Sequence, residues 1–175
     1  NISNTLACLA MASLFHISPE VCQGGLSKYK GTERRFELKG KYNGATIIDD
    51  YAHHPTEVRA TLTSARNYPH KTLWVAFQPH TYSRTKNFLT DFCDALSLAD
   101  KIVLADIYAA REKDPGDISS KDLADQLKKS GKEVFYIGSL NEIKNFFEKN
   151  LMNDDMLITM GAGNIVEVGE NLLKQ

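Results

Sequence analysis

The chain has 175 residues, 42% of them hydrophobic and 25% charged, and its 21 basic and 22 acidic side chains leave a formal net charge of −1. That length suits one domain with a small appendage and can bury a proper core. The charges are mixed in sign without a long single-sign block, and no apolar run approaches membrane-spanning length, so neither nucleic acid nor a membrane is indicated as a partner.

The chain opens on Asn1, with no initiator Met and no signal peptide, and we expect it to be a piece of a longer one. Asn4 to Phe15 is apolar and Ala-rich, a helix that must end before Ser18-Pro19. Pro19 to Leu26 suits a second short helix or turn, interrupted at Gly24-Gly25. The Lys28-Tyr29-Lys30-Gly31-Thr32 stretch has the composition of a linker, which puts a domain boundary near residues 26 to 32. Arg34 to Leu38 and Ala45 to Ile48 then predict two strands around a Lys41-Tyr42-Asn43-Gly44 turn, Asn-Gly being a strong hairpin signal.

From there the pattern is regular. Helices are predicted over Thr56–Asn67, Thr85–Ala99, Ser120–Lys129, Leu140–Asn150 and Asn164–Leu173. Strands are predicted over Thr72–Phe77, Lys101–Ala105, Glu133–Ile137 and Met156–Met160. Strands alternating with helices after an initial hairpin imply an α/β fold, Rossmann-like and doubly wound, with a mostly parallel sheet and helices on both faces. Cys8, Cys22 and Cys93 are odd in number, lack CxxC spacing and sit in apolar contexts, which fits reduced, mostly buried thiols of a cytoplasmic protein.

In such a sheet the loops leaving the carboxyl ends of the strands share one rim, where ligands bind. Here those loops are polar: Asp50-Tyr51-Ala52-His53, Gln78-Pro79-His80-Thr81-Tyr82-Ser83-Arg84, Asp106-Ile107-Tyr108-Ala109-Ala110-Arg111-Glu112, and Gly161-Ala162-Gly163-Asn164. A rim holding His53, His80, Arg84 and Arg111 suits an anionic ligand, because guanidinium groups bind carboxylates and phosphates in bidentate fashion. Asp and His at strand–helix junctions also serve merely as helix caps, and that reading stands beside the functional one.

Other motifs carry less. Gly161-Ala162-Gly163 lacks the third glycine of a dinucleotide loop, with Val166 in its place, and a tight turn is the favoured reading, although the helix start behind it would suit an anion. There is no GxxxxGK[ST] phosphate loop. His53 and His54 are adjacent and point apart, so they make poor joint metal ligands, and no metal site is expected within these residues. Arg34-Arg35 is either a solvated pair or directs one guanidinium to the rim. Ser83 lies near His80 without the signature of a strained nucleophile elbow.

Three stretches in order, Arg34-Arg35-Phe36-Glu37, Asp49-Asp50-Tyr51-Ala52-His53-His54-Pro55-Thr56-Glu57 and Gln78-Pro79-His80-Thr81-Tyr82-Ser83-Arg84-Thr85, resemble the C-terminal domain of the Mur ligases. Asp106 to Glu112 and Met160 to Asn164 add to the match, and Asn1-Ile2-Ser3-Asn4 is similar to the end of the family's HNxxN motif. The resemblance implies residues 1–26 as the helical tail of a central ATPase domain and 27–175 as a C-terminal Rossmann-like domain, with the N-terminal and central domains lying elsewhere in the chain. It further implies a cytoplasmic bacterial enzyme of peptidoglycan synthesis. Its activity would be ATP-dependent ligation of L-alanine to UDP-N-acetylmuramate through an acyl phosphate, with Mg2+ held mainly by the central domain. On this resemblance Asn4, Arg35 and Asp50 would bind ATP, and Tyr51, His53 and His80 would surround the acyl phosphate and incoming amine. Arg84 would pair with the alanine carboxylate. Some members carry a second Arg where this chain has Thr81, so one cationic contact is absent or comes from elsewhere, Arg111 being a candidate. Two alternatives stay open: a related ligase that recycles a murein tripeptide, and a non-catalytic nucleotide-binding module on the same fold.

Overall fold

The structure, a computed structural model, describes residues 2–29 and 31–174. Asn1, at the end of the HNxxN-like motif, Lys30, in the expected linker, and Gln175 lie outside the described residues. The chain divides into two compact units, residues 1–32 and 33–175. The first holds α1 (Ile2–Leu14) and α2 (Pro19–Lys28). Ser18 caps α2 by accepting from the Val21 N–H at 3.5 Å, with Pro19 at the first helical position. The helix then runs unbroken through Gly24-Gly25, where the sequence reading placed an interruption. Among the described residues, neither helix buries one.

The second unit carries the expected α/β fold. It begins with the hairpin β1 (Glu37–Tyr42) and β2 (Ala45–Asp50), followed by α3 (Pro55–Ala65), β3 (Leu73–Phe77), α4 (Tyr82–Asn87) and α5 (Leu89–Leu96). Then come β4 (Lys101–Ala105), α6 (Ser120–Lys129), β5 (Glu133–Gly138), α7 (Leu140–Asn150), β6 (Met156–Met160) and α8 (Val166–Leu173). The strands form one sheet in the order β1-β2-β6-β3-β4-β5, with β1 antiparallel to β2 and every other pairing parallel.

Side-chain alternation along the strands builds two cores. Ile48, Val75, Phe77, Ile102, Leu104 and Ile158 face α3, α5 and α6, while Ile47, Trp74, Ala76, Val103 and Leu157 face α7 and α8. Because both faces are covered, β3 and β6 are buried along their whole length. The connections leaving β2, β3 and β4 therefore turn to one face of the sheet, and those leaving β5 and β6 turn to the other. Neighbouring β3 and β6 thus send their loops apart, which opens the kind of crevice where α/β sheets bind ligands.

Two elements of the second unit also differ from the sequence reading. β1 begins only at Glu37, because Arg34 and Phe36 adopt φ of 55° and 48°, left-handed conformations that no strand contains. The helix predicted over Thr85–Ala99 is broken at Phe88, whose φ of −114° and ψ of 23° end α4 before α5 starts. The hairpin turn is as expected, with Asn43 and Gly44 both at positive φ.

Candidate functional site

The rim starts at the end of β2. The buried Asp49 carboxylate accepts from Arg34 Nε at 2.9 Å and from Thr159 Oγ1 at 2.7 Å. The same guanidinium donates to the carbonyls of Gly161 (2.7 Å) and Gly163 (3.2 Å), and its Cζ lies 4.9 Å from the centre of the Tyr51 ring. Arg34 therefore ties the loop after β6 to the end of β2, which is why a β1 strand cannot run through it. Asp49 is a partner of this tie and faces no open space.

Beyond it the chain turns sharply into α3. His54 is the N-cap: its Nδ1 accepts from the Thr56 N–H at 3.4 Å, and its ring packs edge-on against Phe88. Glu57 completes a capping box by accepting from the N–H groups of His53 and His54. His53 is left on the rim. Its Nδ1 lies 2.9 Å from the Tyr51 carbonyl, which can only accept, so Nδ1 carries a proton and Nε2 of the neutral ring is a free acceptor.

His53 is one of a row of rings. Tyr51, His53, His80 and Tyr108 follow one another with centroids 5.3, 5.7 and 5.7 Å apart. His80 sits in an isolated parallel bridge with Tyr108, which prolongs the β3–β4 pairing past the strands. Its Nδ1 is 3.3 Å from Arg84 Nη1, and a guanidinium only donates, so Nδ1 is the acceptor and Nε2 carries the proton. Burial, then the positive field of Arg84, hold the His80 imidazole below its ordinary range, which favours the neutral ring at pH 7. Arg84, four residues on in α4, is half-buried, and among the described residues no carboxylate lies within ion-pair distance of it.

A concavity of about 180 Å³ opens beside α3, lined by Arg35, Asp50, Tyr51, Ala52, Glu57 and Thr61 among others. Asp50 Oδ1 accepts from the Ala52 N–H and Oδ2 from the Phe36 N–H, at 2.8 and 2.9 Å, and the Thr61 side chain is a third partner of this carboxylate, which leaves it a lone pair for one more donor. Burial raises its pKa, and the hydrogen bonds from Ala52, Phe36 and Thr61 act against the shift. Arg35 is exposed on the wall of the same concavity. Arg111 is an exposed side chain on the loop after β4, and Asn4 is an exposed residue of α1 in the first unit. Among the described residues no group of three or more His, Cys, Asp or Glu is placed to hold a metal ion.

The loop after β6 is built for packing. A side chain on Gly161 would meet the Gln78 carbonyl at 2.7 Å, and one on Gly163 would collide with Gln78 Oε1 and meet the Tyr108 ring at 2.8 Å. Gln78 Oε1 accepts from the Ile165 N–H, which occupies a donor at the start of α8 that an anion would otherwise use. The tight-turn reading of this glycine pair is thus the right one.

Residues 34–163 match the family model described as Mur ligase, glutamate ligase domain. The chain belongs to the Mur ligase family. It is 58% identical, along its full 175 residues, to the UDP-N-acetylmuramate–L-alanine ligase of Agathobacter rectalis, and spans about 38% of the length of that relative. Among solved structures it resembles the UDP-N-acetylmuramate–alanine ligase of Thermotoga maritima, with a TM-score of 0.81 and 26% identity over 99% of this chain and 37% of that one. The murein peptide ligase of Psychrobacter arcticus shares the fold, with a TM-score of 0.72 and 23% identity over 99% of this chain and 36% of that one.

Of the residues singled out in the sequence, the Mur ligase fold brings Tyr51, His53, His80 and Arg84 to one rim and Arg35 and Asp50 to the adjoining concavity. Three residues that shape the rim were not singled out. Arg34 was left undecided between solvent and rim, although it is the residue that holds three loops together. Tyr108 stacks on His80, and Glu112 accepts from the Ser83 N–H at 2.9 Å and from the Ser83 hydroxyl. The only sequence signal for either was its place in a polar loop after a strand.

Proposed function

We propose that this chain is the amino-acid-admitting part of a bacterial cytoplasmic ligase that joins L-alanine to UDP-N-acetylmuramate at the expense of ATP, through an acyl phosphate, in peptidoglycan precursor synthesis. The choice of substrates rests on the activity named for the relatives. The placing of the chemistry rests on one observation: a half-buried guanidinium, Arg84, with no carboxylate partner among the described residues, set beside His80 on the rim where strand-end loops diverge. In this reading Arg84 takes the alanine carboxylate in a two-pronged hydrogen bond. The amine is then held towards His53 and His80. As nitrogen attacks the acyl carbon and phosphate departs, the nitrogen sheds a proton, and His53 Nε2 is the acceptor we assign. The imidazolium so formed is stabilised through Nδ1 by the Tyr51 carbonyl and by Glu57, 3.4 Å away. Tyr51 and His80 line the acyl phosphate, Arg111 adds positive potential, and catalysis is mainly positioning and electrostatics.

The concavity at Asp50 fits one part of ATP. At about 180 Å³ it is smaller than whole-ligand sites of roughly 300–1,000 Å³, so it suits a sugar ring, with the remainder of the nucleotide held elsewhere. Asp50 has a lone pair left for a ribose hydroxyl and Arg35 supplies a cation beside it; on the resemblance alone, Asn4 is assigned to the adenine edge. ATP supplies the phosphoryl group that activates the carboxylate. Mg2+ would screen the phosphates, and we assign it no ligand in this chain.

Phosphate release by the intact enzyme with ATP, Mg2+ and UDP-N-acetylmuramate tests the proposal. Release dependent on L-alanine is expected. Release with the murein tripeptide alone would move the enzyme to recycling, and release with neither would favour a binding module.

A further inference from the structure

The short helix that carries Arg84 begins under strain. Thr81, its N-cap, has φ 67° and ψ 146°, close to a region that glycine almost alone populates. A β-branched residue stays there only when its surroundings fix the backbone on several sides. Two of the restraints are local: Thr81 Oγ1 accepts from the Arg84 N–H, and the Thr85 hydroxyl donates to the Thr81 carbonyl. The others come from the loop after β4. The Thr81 N–H donates to the Tyr108 carbonyl at 2.9 Å, the Tyr108 N–H donates to the Pro79 carbonyl at 2.8 Å, and the Tyr108 ring stacks on His80. At the far end of that loop, the Glu112 carboxylate grips Ser83 twice, through its N–H and its hydroxyl. These hydrogen bonds also draw the Glu112 pKa below its ordinary range.

Glu112 thus holds one of the first N–H groups of α4, a donor without a partner inside the helix, and does so one residue before Arg84. The helix has only six residues and makes too few internal hydrogen bonds to fix its own direction. We infer that Glu112 is a positioning residue for amino-acid binding: by clamping Ser83 it sets the direction of α4, and so aims the Arg84 guanidinium and its contact with His80. The inference rests on the ligase reading above. It assigns Glu112 no contact with substrate.

The test uses the intact ligase and follows the KM for L-alanine and for ATP in Glu112→Ala, Glu112→Gln and Ser83→Ala. Misaiming by a fraction of an ångström should raise the alanine KM of Glu112→Ala by about tenfold or more and leave the ATP KM within about twofold. Glutamine can keep both contacts, since its amide oxygen accepts from the Ser83 N–H and its NH2 donates to Ser83 Oγ. Glu112→Gln should therefore stay within about threefold of the parent. Ser83→Ala, which deletes one contact and spares the other, should fall between the two, and it serves as the readout should Glu112→Ala fail to fold. An unchanged alanine KM in both Glu112→Ala and Ser83→Ala would overturn the inference. So would an equal rise in both KM values, or a glutamine variant as impaired as the alanine one. Absence of alanine-dependent phosphate release by the parent enzyme is a different failure, and it overturns the ligase reading itself.

Discussion

Replacing Arg34 by Met should cost the second unit far more than a half-exposed surface arginine ordinarily would. The side chain is 24% exposed, whereas its partner Asp49 is fully buried. Removing the guanidinium leaves the Asp49 carboxylate with Thr159 Oγ1 as its remaining hydrogen-bond partner, and strips Gly161 and Gly163 of the donors to their carbonyls. Breaking a buried pair from one side costs about 3–5 kcal/mol, and each lost hydrogen bond to a neutral carbonyl roughly 0.5–1.5 kcal/mol. Water reaches the guanidinium end and can serve the two carbonyls, so the net is about 2–4 kcal/mol. For a domain of this size that corresponds to a fall in Tm of roughly 5–15 °C. The cycle is completed by Asp49→Asn, alone and together with Arg34→Met, with urea melts monitored by circular dichroism. Because Asp49→Asn removes the orphaned charge, the double variant should be no less stable than Arg34→Met alone, a coupling of about 1–3 kcal/mol. A single-variant cost under about 1 kcal/mol, or strict additivity, would refute the view that Arg34 and Asp49 act as one structural unit.

Three further outcomes follow from the geometry. Gly163→Ala would drive a methyl group into Gln78 Oε1 and the Tyr108 ring, and should destabilise by about 1–3 kcal/mol in the same melts; a neutral result would mean this loop is free to move. Burial pushes the Cys93 thiol up to about 11, while Cys8 is exposed in this chain, so an alkylating reagent at pH 8 should label Cys8 and spare Cys93 until the protein unfolds, as mass spectrometry would read. His80 has a folded-state pKa lowered below its ordinary 6.5, so the unfolded chain takes up the proton first as pH falls past that value. Stability is therefore full above about pH 6.5 and declines below it, and His80→Gln should flatten the fall in Tm between pH 7 and 5; parallel profiles would refute the assignment.

Much of the fold was legible because its signals are local. Asn43-Gly44 specifies its turn through positive φ at both positions, and the strand–helix alternation follows from short β-branched runs between amphipathic segments. The strand order was not legible: β6 inserts between β2 and β3, a pairing that no window of periodicity contains. The same distinction runs through the rim. Its loops could be placed together once parallel strands were inferred, and Tyr51, His53, His80 and Arg84 do meet there. What the sequence could not express was contact between loops. Arg34 reaches carbonyls 127 and 129 residues away, and Glu112 reaches Ser83 from 29 residues on. Likewise, the left-handed turns at Arg34, Phe36 and Thr81 fall on residues with no intrinsic preference for them. Tertiary contacts impose those conformations, and one of them turned a predicted strand into the tie that closes the rim.

In the proposed function, this rim receives the amino acid through Arg84. The most direct measurement is the steady-state KM for L-alanine and for ATP in the intact ligase carrying Arg84→Ala. Loss of a charge-assisted, two-pronged contact should raise the alanine KM by roughly 30–150-fold, equivalent to about 2–3 kcal/mol, with the ATP KM nearly unchanged. Equal changes in both, or no change in the alanine value, would contradict the account and move the carboxylate away from Arg84.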